Sequence, residues 1–340
     1  MTRLDVFNHI FPKNYYDRML QIAPNGKDMH KRVRAIPSIV DLDERFRIMD
    51  RVIDRYGDYA QIICLASPPI ETFGPPPVSA SLAKLANDGM AELVAKYPQR
   101  FPGFIASLPM NDPQGLLAEA HRAVEQLGAV GVQVFTNVLG RPLTAPENLP
   151  LFDLMAAMDR PIWMHPARGA DFADYKGESK SHYEIWWTLG WPYETSVAMA
   201  HIVFAGLFDK HPHLKIITHH LGGMIPYFEG RVGPGWDQLG TRTSDEDYTV
   251  LLKTLKKRPL DYFRMFYADT ALFGASDATM LGLKFFGADR VLFGSDAPFD
   301  PEKGSAYIRW TLDVIDRLDI TPAQRHAILE GNARKLLKLE

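Results

Sequence analysis

Four short apolar runs end in side chains able to bind a cation or move a proton. They are Leu4-Asp5-Val6-Phe7-Asn8-His9, Pro161-Ile162-Trp163-Met164-His165-Pro166, Ile216-Ile217-Thr218-His219-His220 and Val291-Leu292-Phe293-Gly294-Ser295-Asp296. Imidazoles and carboxylates so far apart in sequence make a site only if the strands close into one sheet with their C-terminal ends together, as in a (β/α)8 barrel. Side chains alternate along a strand, so Asp5, Phe7 and His9 are expected on one face, the inward one in a barrel. Asp296 ends a buried strand, where a carboxylate is costly to desolvate unless it is paired or binds a cation. His165, bracketed by Trp163 and Pro166, reads either as a ligand or as a satisfied core histidine. Taken together, His9, His165 and Asp296 point to a divalent metal, and three protein ligands with open positions are the catalytic pattern. Mixed imidazole and carboxylate ligands suit zinc or manganese.

Phe7 stands where such a site would take a further histidine. Its ring is expected in the barrel mouth beside His9, filling the space of another ligand and leaving the metal more open to substrate. His219 and His220 are adjacent, so on a strand only one can face inward. The other is expected to pack under a helix or hydrogen-bond to a loop. Gly222-Gly223 permits close backbone approach to a ligand. Asp269 ends another apolar run and is a weaker candidate than Asp296. His30, His121, His182, His201, His211, His213 and His326 fall mostly on helices or loops and read as surface or structural.

The elements that must position these groups alternate along the whole chain. Strands are expected at 4–9, 60–66, 103–108, 131–135, 161–165, 215–220, 265–269 and 290–295. Helical patterns lie between them at 43–55, 79–97, 113–127, 149–158, 193–210, 247–257 and 275–286, and two more at 305–317 and 321–337 close the chain. Near-continuous apolar strands, each followed by a helix, fit a parallel sheet covered on both faces and closed as a single barrel domain over 1–340. Ser79 and Thr321-Pro322 carry helix-start signals, and Pro75-Pro76-Pro77 reads as a stiff loop. Insertions at about 11–41, 67–78 and 166–192 all leave the C-terminal ends of strands, so they should overhang one mouth as lids or binding loops. The third is rich in aromatics (Phe172, Tyr175, Tyr183, Trp186, Trp187, Trp191), as a lid over a flat organic molecule would be.

Composition narrows the function. A hydrophobic share of 46% gives ample core, and a net charge of −3 makes no electrostatic case for nucleic acid. Cys64, the single cysteine, lies in an apolar run and reads as core packing. No signal-peptide pattern is evident at the N-terminus and no apolar stretch approaches the ~18 residues of a membrane span, so a cytoplasmic location is the default expectation.

Seven further segments occur in a familiar order: Arg100-Phe101-Pro102-Gly103 with Ser107-Leu108-Pro109; Leu127-Gly128-Ala129-Val130-Gly131-Val132-Gln133; Met164-His165-Pro166; Gly190-Trp191-Pro192-Tyr193-Glu194-Thr195; His220-Leu221-Gly222-Gly223 with Pro226, Tyr227 and Arg231; Gly294-Ser295-Asp296-Ala297-Pro298-Phe299; and Gly331-Asn332-Ala333. In these the chain resembles the amidohydrolase superfamily, in particular its decarboxylase branch, the group of aminocarboxymuconate semialdehyde and γ-resorcylate decarboxylases. The resemblance implies His9, His165 and Asp296 as metal ligands and His220, not His219, as the inward catalytic histidine acting with Asp296. It places Trp187 in the pocket lid, beside Phe7 and Phe299. The departure is Phe7, where the family has His or Glu.

The activity so implied is metal-dependent, non-oxidative decarboxylation of a hydroxyaryl or dienoic carboxylate, by a homo-oligomer (dimer or tetramer). A substrate carboxylate invites an arginine, and Arg34 and Arg168 lie in the right loops. Two readings compete with it: hydrolysis or hydration of an aromatic catabolite on the same metal, and a ligand-binding barrel without catalysis.

Overall fold

The computed structural model describes residues 1–23, 28–243 and 246–339, so part of the first insertion (24–27) and the side chain of His30 lie outside the described residues. Eight strands run in sequence order around one sheet: β1 Arg3–His9, β2 Tyr59–Cys64, β3 Gly103–Ser107, β4 Gly131–Phe135, β5 Ile162–His165, β6 Ile216–Thr218, β7 Tyr267–Asp269 and β8 Val291–Leu292. Every neighbouring pair is parallel. The last seam closes through backbone bonds from Val6 N to Phe293 O (2.9 Å), Asp296 N to Phe7 O (2.9 Å) and His9 N to Ala297 O (2.7 Å). The eight expected strands are all present, and these bonds join the first strand to the last in a nearly closed barrel.

Two cores follow from the closure. One fills the barrel with Val6, Phe7, Ile62, Ile105, Trp163, Ile217 and Leu292 and is plugged by Leu336 and Leu337 of the last helix. The other lies between strands and surrounding helices. Helices at Leu42–Tyr56, Pro113–Glu125, Leu149–Ala157, Ser276–Phe286 and Ala306–Arg317 fall where apolar periodicity places them. Thr321 begins the C-terminal helix with a capping box, its hydroxyl accepting from Gln324 N while the Gln324 side chain accepts from Thr321 N.

Several expectations need correction. The helix expected from Ser79 begins at Pro76, because prolines 76 and 77 occupy the first turn, where a missing N–H costs nothing. The proline run is therefore a helix start rather than a loop. The helix expected at 193–210 starts at Gly190 and breaks after Phe204, where Gly206 turns with φ +70° before Leu207–Lys210. That expected at 247–257 is confined to Thr249–Thr254, and the C-terminal helix carries a π turn at Ala327–Gly331. The first insertion contains helices Lys13–Ile22 and Asp28–Arg34, and a small antiparallel ribbon (Asn137–Val138 with Arg141–Pro142) follows β4.

Strands β2, β6 and β8 also end earlier than their apolar runs. Residues 219–220 therefore lie beyond the ladder, and 293–296 keep only the seam bonds to β1, so strand alternation no longer dictates direction at either place.

Candidate metal centre and active site

Strand β1 shifts register between Asp5 and Asn8. This bulge breaks the alternation, so Asp5 does not share the face of Phe7 and His9. Asp5 instead accepts from Tyr59 Oη (2.8 Å), Ser295 Oγ (2.5 Å) and Ser295 N (3.0 Å). Asn8 bonds Ile62 O and Arg45. Phe7 and His9 meet at the mouth, their ring centroids 5.1 Å apart, as their spacing implies.

His9 donates from Nδ1 to Leu65 O at 3.0 Å, because a carbonyl can only accept. Its Nε2 lies 2.8 Å from Asp296 Oδ1. Two acceptors at that distance need positive charge between them, either a proton or a cation. His165 has the same design. Its Nδ1 donates to Pro166 O at 2.7 Å, which directs Nε2 inward. Burial holds the His165 pKa well below the usual imidazole range, reinforced by His219 and His9, so its ring is neutral. Burial alone would raise the Asp296 carboxyl, but His219, His220 and His9 outweigh it and hold it well below the carboxylate range.

His9, His165 and Asp296 thus offer donor atoms within 4.8 Å of one another, all from buried residues. A neutral imidazole, a second imidazole facing a carboxylate, and an ionised carboxylate suit a divalent cation such as zinc or manganese. Asp296 holds φ +62°, a left-handed conformation that Asp tolerates better than most residues. Gly294 lets the chain pass close beneath it, since a Cβ there would meet Phe7 Cβ at 3.2 Å and Asp269 Cβ at 3.0 Å.

The two adjacent histidines do not face opposite ways. Strand β6 ends at Thr218, His219 stays extended, and His220 and Leu221 adopt φ of +50° and +49°. The turn swings both rings into the mouth, with centroids 3.7 Å apart. His219 Nε2 lies 3.4 Å from Asp296 Oδ1, and His220 Nε2 lies 3.6 Å from Asp296 Oδ2. The expectation that only one ring faces inward, with the other packing under a helix or hydrogen-bonding to a loop, is overturned by this left-handed turn. Asp269 is the anchor of the turn, binding His219 Nδ1 at 2.5 Å and accepting from the His220 amide at 3.1 Å. Burial opposes charge on His219, but Asp269 and Asp296 prevail and push its pKa up to about 9; His220 is lowered, by burial first and then by His219. Gly222 and Gly223 admit close approach, but of Phe286 and of Pro192 O rather than of a ligand.

Above the histidines lies an aromatic wall. Trp191 meets His165 edge-on at 5.3 Å and stacks over His220 at 6.5 Å. Trp187 instead leans on Trp191 at 6.3 Å and bonds Glu184, so it lies behind the indole that meets the histidines. Phe299 faces His9 at 5.6 Å, and Phe135 meets His165 edge-on at 5.3 Å.

Arg34 is exposed, whereas Arg32 holds its guanidinium 3.9 Å over Phe299 and 5.5 Å from Trp191. Residues two apart on a helix point about 200° apart, so recognising Asp28–Arg34 as helical would have forced a choice between the two arginines. Burial lowers the Arg32 pKa, opposed by Asp296. Arg168 is committed elsewhere. Its Nη1 pairs with Glu194 at 2.9 Å, and its carbonyl accepts from Trp191, which pins the lid. Gln133 and Ser107 line a small cavity with Leu65 and Phe135; a glutamine inside an apolar strand was the available signal.

Comparison with known proteins agrees with this geometry. The amidohydrolase family Amidohydro_2 matches residues 28–339. The chain is 32% identical over 319 residues to a γ-resorcylate decarboxylase of Polaromonas sp., covering 88% of this chain and 89% of that one. It is 27% identical to the 2-amino-3-carboxymuconate-6-semialdehyde decarboxylase of Dictyostelium discoideum, covering 99% and 92%. A crystal structure of a dihydroxybenzoic acid decarboxylase from Polaromonas sp. JS666, with manganese and the inhibitor 2-nitroresorcinol, superposes with a TM-score of 0.79 at 27% identity, covering 99% and 97%. Closed parallel barrel, strand-end histidines and aspartate, and sequence similarity along nearly the whole chain lead to one conclusion: this chain belongs to the amidohydrolase family.

Proposed function

We propose that the protein is a carboxy-lyase, a divalent-metal-dependent non-oxidative decarboxylase of a hydroxyaryl or related unsaturated carboxylic acid. The observation that carries this reading is the buried His9, His165 and Asp296 donor set, with His220 beside the same carboxylate and an aromatic wall above. The similarity to decarboxylases along nearly the whole chain supports it.

A metal held by His9, His165 and Asp296 would supply Lewis-acid polarisation of the substrate's oxygens. The chain's own residues do the rest. The flat ring lies between Trp191, Phe7 and Phe299, which exclude water. Arg32 faces the substrate's anionic group, the role expected of Arg34 or Arg168. Decarboxylation needs a proton on the carbon that bears the carboxylate. The C–C bond then breaks, its electron pair restores the ring, and carbon dioxide leaves. Burial favours the neutral state of His220, so it can take a proton from solvent or the substrate's hydroxyl and, with Asp296, deliver it to that carbon, where it stays as the product's C–H bond.

Among the described residues no helix is long and apolar enough to cross a membrane. The reading includes a cytoplasmic homo-oligomer. The adjacent exposed rings of Tyr227 and Phe228, 4.9 Å apart, support association, since exposed apolar patches mark interfaces. Light scattering tests it, and a monomer at micromolar concentration would refute it.

The activity test is carbon dioxide release from a panel of hydroxybenzoates by manganese- and zinc-loaded protein. Release abolished by chelator and restored by metal is expected. Hydrolysis or hydration of related aromatic compounds without carbon dioxide would replace the reading.

A further inference from the structure

Phe7 leaves β1 with one imidazole at the mouth, yet another imidazole reaches the same space from the end of β6. The His219 ring lies 4.2 Å from the Phe7 ring and 5.1 Å from that of His165, centroid to centroid. Its Nδ1 meets Asp269 Oδ2 at 2.5 Å, and Asp269 is itself held by the amides of His220 and Ala271. A carboxylate on Nδ1 decides which nitrogen is left over. Nε2 points to Asp296 Oδ1 at 3.4 Å, and it is buried in a residue only 1% exposed with no hydrogen-bond partner. Donor atoms of His219, His220 and Asp296 lie within 4.8 Å of one another, and Asp296 is also in the group with His9 and His165.

We propose that His219 is a ligand of the metal, supplying from the end of β6 the imidazole that Phe7 withholds from β1. A carboxylate on one imidazole nitrogen with the other left bare is how metal-binding histidines are oriented and made more basic. A histidine that merely fills the core would be expected to satisfy both nitrogens, because a buried polar atom left unpaired loses its hydration without replacement. The donor set then becomes His9, His165, His219 and Asp296, and His220 is left free for the proton. Asp269 acquires a role as the positioning residue of His219. The inference rests on the metal-dependent reading above, but it is read out by metal binding rather than by turnover.

The test uses full-length protein stripped of metal and reloaded with Mn(II). Affinity is measured by competition with a chromogenic chelator, and bound imidazoles are counted by pulsed electron paramagnetic resonance. Wild type should show three imidazoles and His219→Ala two, with affinity lowered at least roughly tenfold to a hundredfold. His220→Ala should keep three imidazoles and wild-type affinity. Phe7→His in the His219→Ala background should restore the third imidazole from β1. Thermal melts of the metal-free proteins verify folding, and His219→Gln, which keeps the bulk of the side chain, serves if alanine does not fold. Wild-type affinity and imidazole count in the His219 variants would overturn the assignment alone. Failure of wild type to take up Mn(II) or Zn(II) would overturn it together with the metal-dependent reading.

Discussion

Strand β1 borders two buried polar clusters that differ in one respect. On the side of helix Leu42–Tyr56, Asp5, Tyr59, Gln61, Arg45 and Asn8 form a continuous network. Arg45 donates to Gln61 Oε1 (2.8 Å), to Asn8 Oδ1 (2.6 Å) and to His9 O (2.7 Å), and Gln61 donates to Tyr59, which donates to Asp5. None of these side chains has a buried polar atom without a partner. On the mouth side, His219 Nε2 and His220 Nδ1 make no hydrogen bond among the described residues, although both rings crowd one carboxylate. Unpaired buried atoms also occur elsewhere, as at Tyr15 and Glu71, so an orphan alone identifies nothing. What sets the mouth apart is His219 Nε2, aimed at an ionised carboxylate and yet without a hydrogen bond. The helix-side network, complete in itself, is scaffold. It also holds His9 by its backbone carbonyl, so the scaffold positions the site.

If the contrast is right, damage to the two clusters should be felt in different measurements. His165→Ala should lose both metal and turnover, because a bound ion is worth several kcal/mol of transition-state stabilisation, about a thousandfold or more in rate. Metal analysis and carbon dioxide release would check it, and full activity of metal-free protein would show that the mouth holds no functional metal. His220→Ala should retain its metal and lose roughly 10²–10⁴-fold in kcat, the usual share of a general acid–base group. Loss of metal from this variant would move His220 into the donor set.

The other face should answer in stability. Arg45→Ala strands Gln61, Asn8 and His9 O without their donor, and urea unfolding should show a loss of roughly 3 kcal/mol or more. Retained stability with lost activity would reverse the assignment of the two faces.

Asp5 gives that network a pH signature. Burial outweighs the hydrogen bonds from Ser295 and Tyr59 and pushes its pKa from 3.8 to about 6. The folded state therefore holds the proton more tightly than the unfolded chain. Stability contributed by that proton is fully present below about pH 4 and lost as pH rises through about 6, a change of up to roughly 2–3 kcal/mol. The urea midpoint of wild type relative to Asp5→Asn should fall across this window and then level off. A difference independent of pH would show that Asp5 ionises as freely when folded as when unfolded.

The smallest effect concerns the arginines. Arg32→Met should raise KM about tenfold with kcat little changed, in line with about 1.5 kcal/mol for a charged hydrogen bond. Arg34→Ala should do nothing measurable, and the reverse outcome would put the exposed arginine back over the site.

Much of this molecule was legible beforehand for local reasons. Eight apolar runs separated by helical periodicity allow few arrangements, and runs ending in His9, His165 and Asp296 announce where the polar groups collect. The ring of Phe7 lies beside His9, as that spacing implies. The lid was recognisable from its density of aromatics, though not which indole would meet the histidines. Trp191 lies at the start of helix Gly190–Phe204, docked through the Arg168 carbonyl, while Trp187 lies one short turn earlier. Arg32 and Arg34 could not be separated without knowing that their segment is helical.

The order of elements and the residue types at the strand ends follow from the chain alone, because periodicity and apolar content are local properties. Direction is set by the tertiary fold. The bulge in β1 turns Asp5 away from Phe7 and His9. The left-handed turn at His220 and Leu221, tied down by Asp269 from the neighbouring strand, brings His219 to Asp296 instead of burying it under a helix. Both depend on hydrogen bonds between residues about fifty or more positions apart, Asn8 to Ile62 O and Ser295 to Asp5 at the bulge and the His220 amide to Asp269 at the turn. A strand's alternation holds only while its ladder lasts, and where each ladder ends is settled by its neighbours.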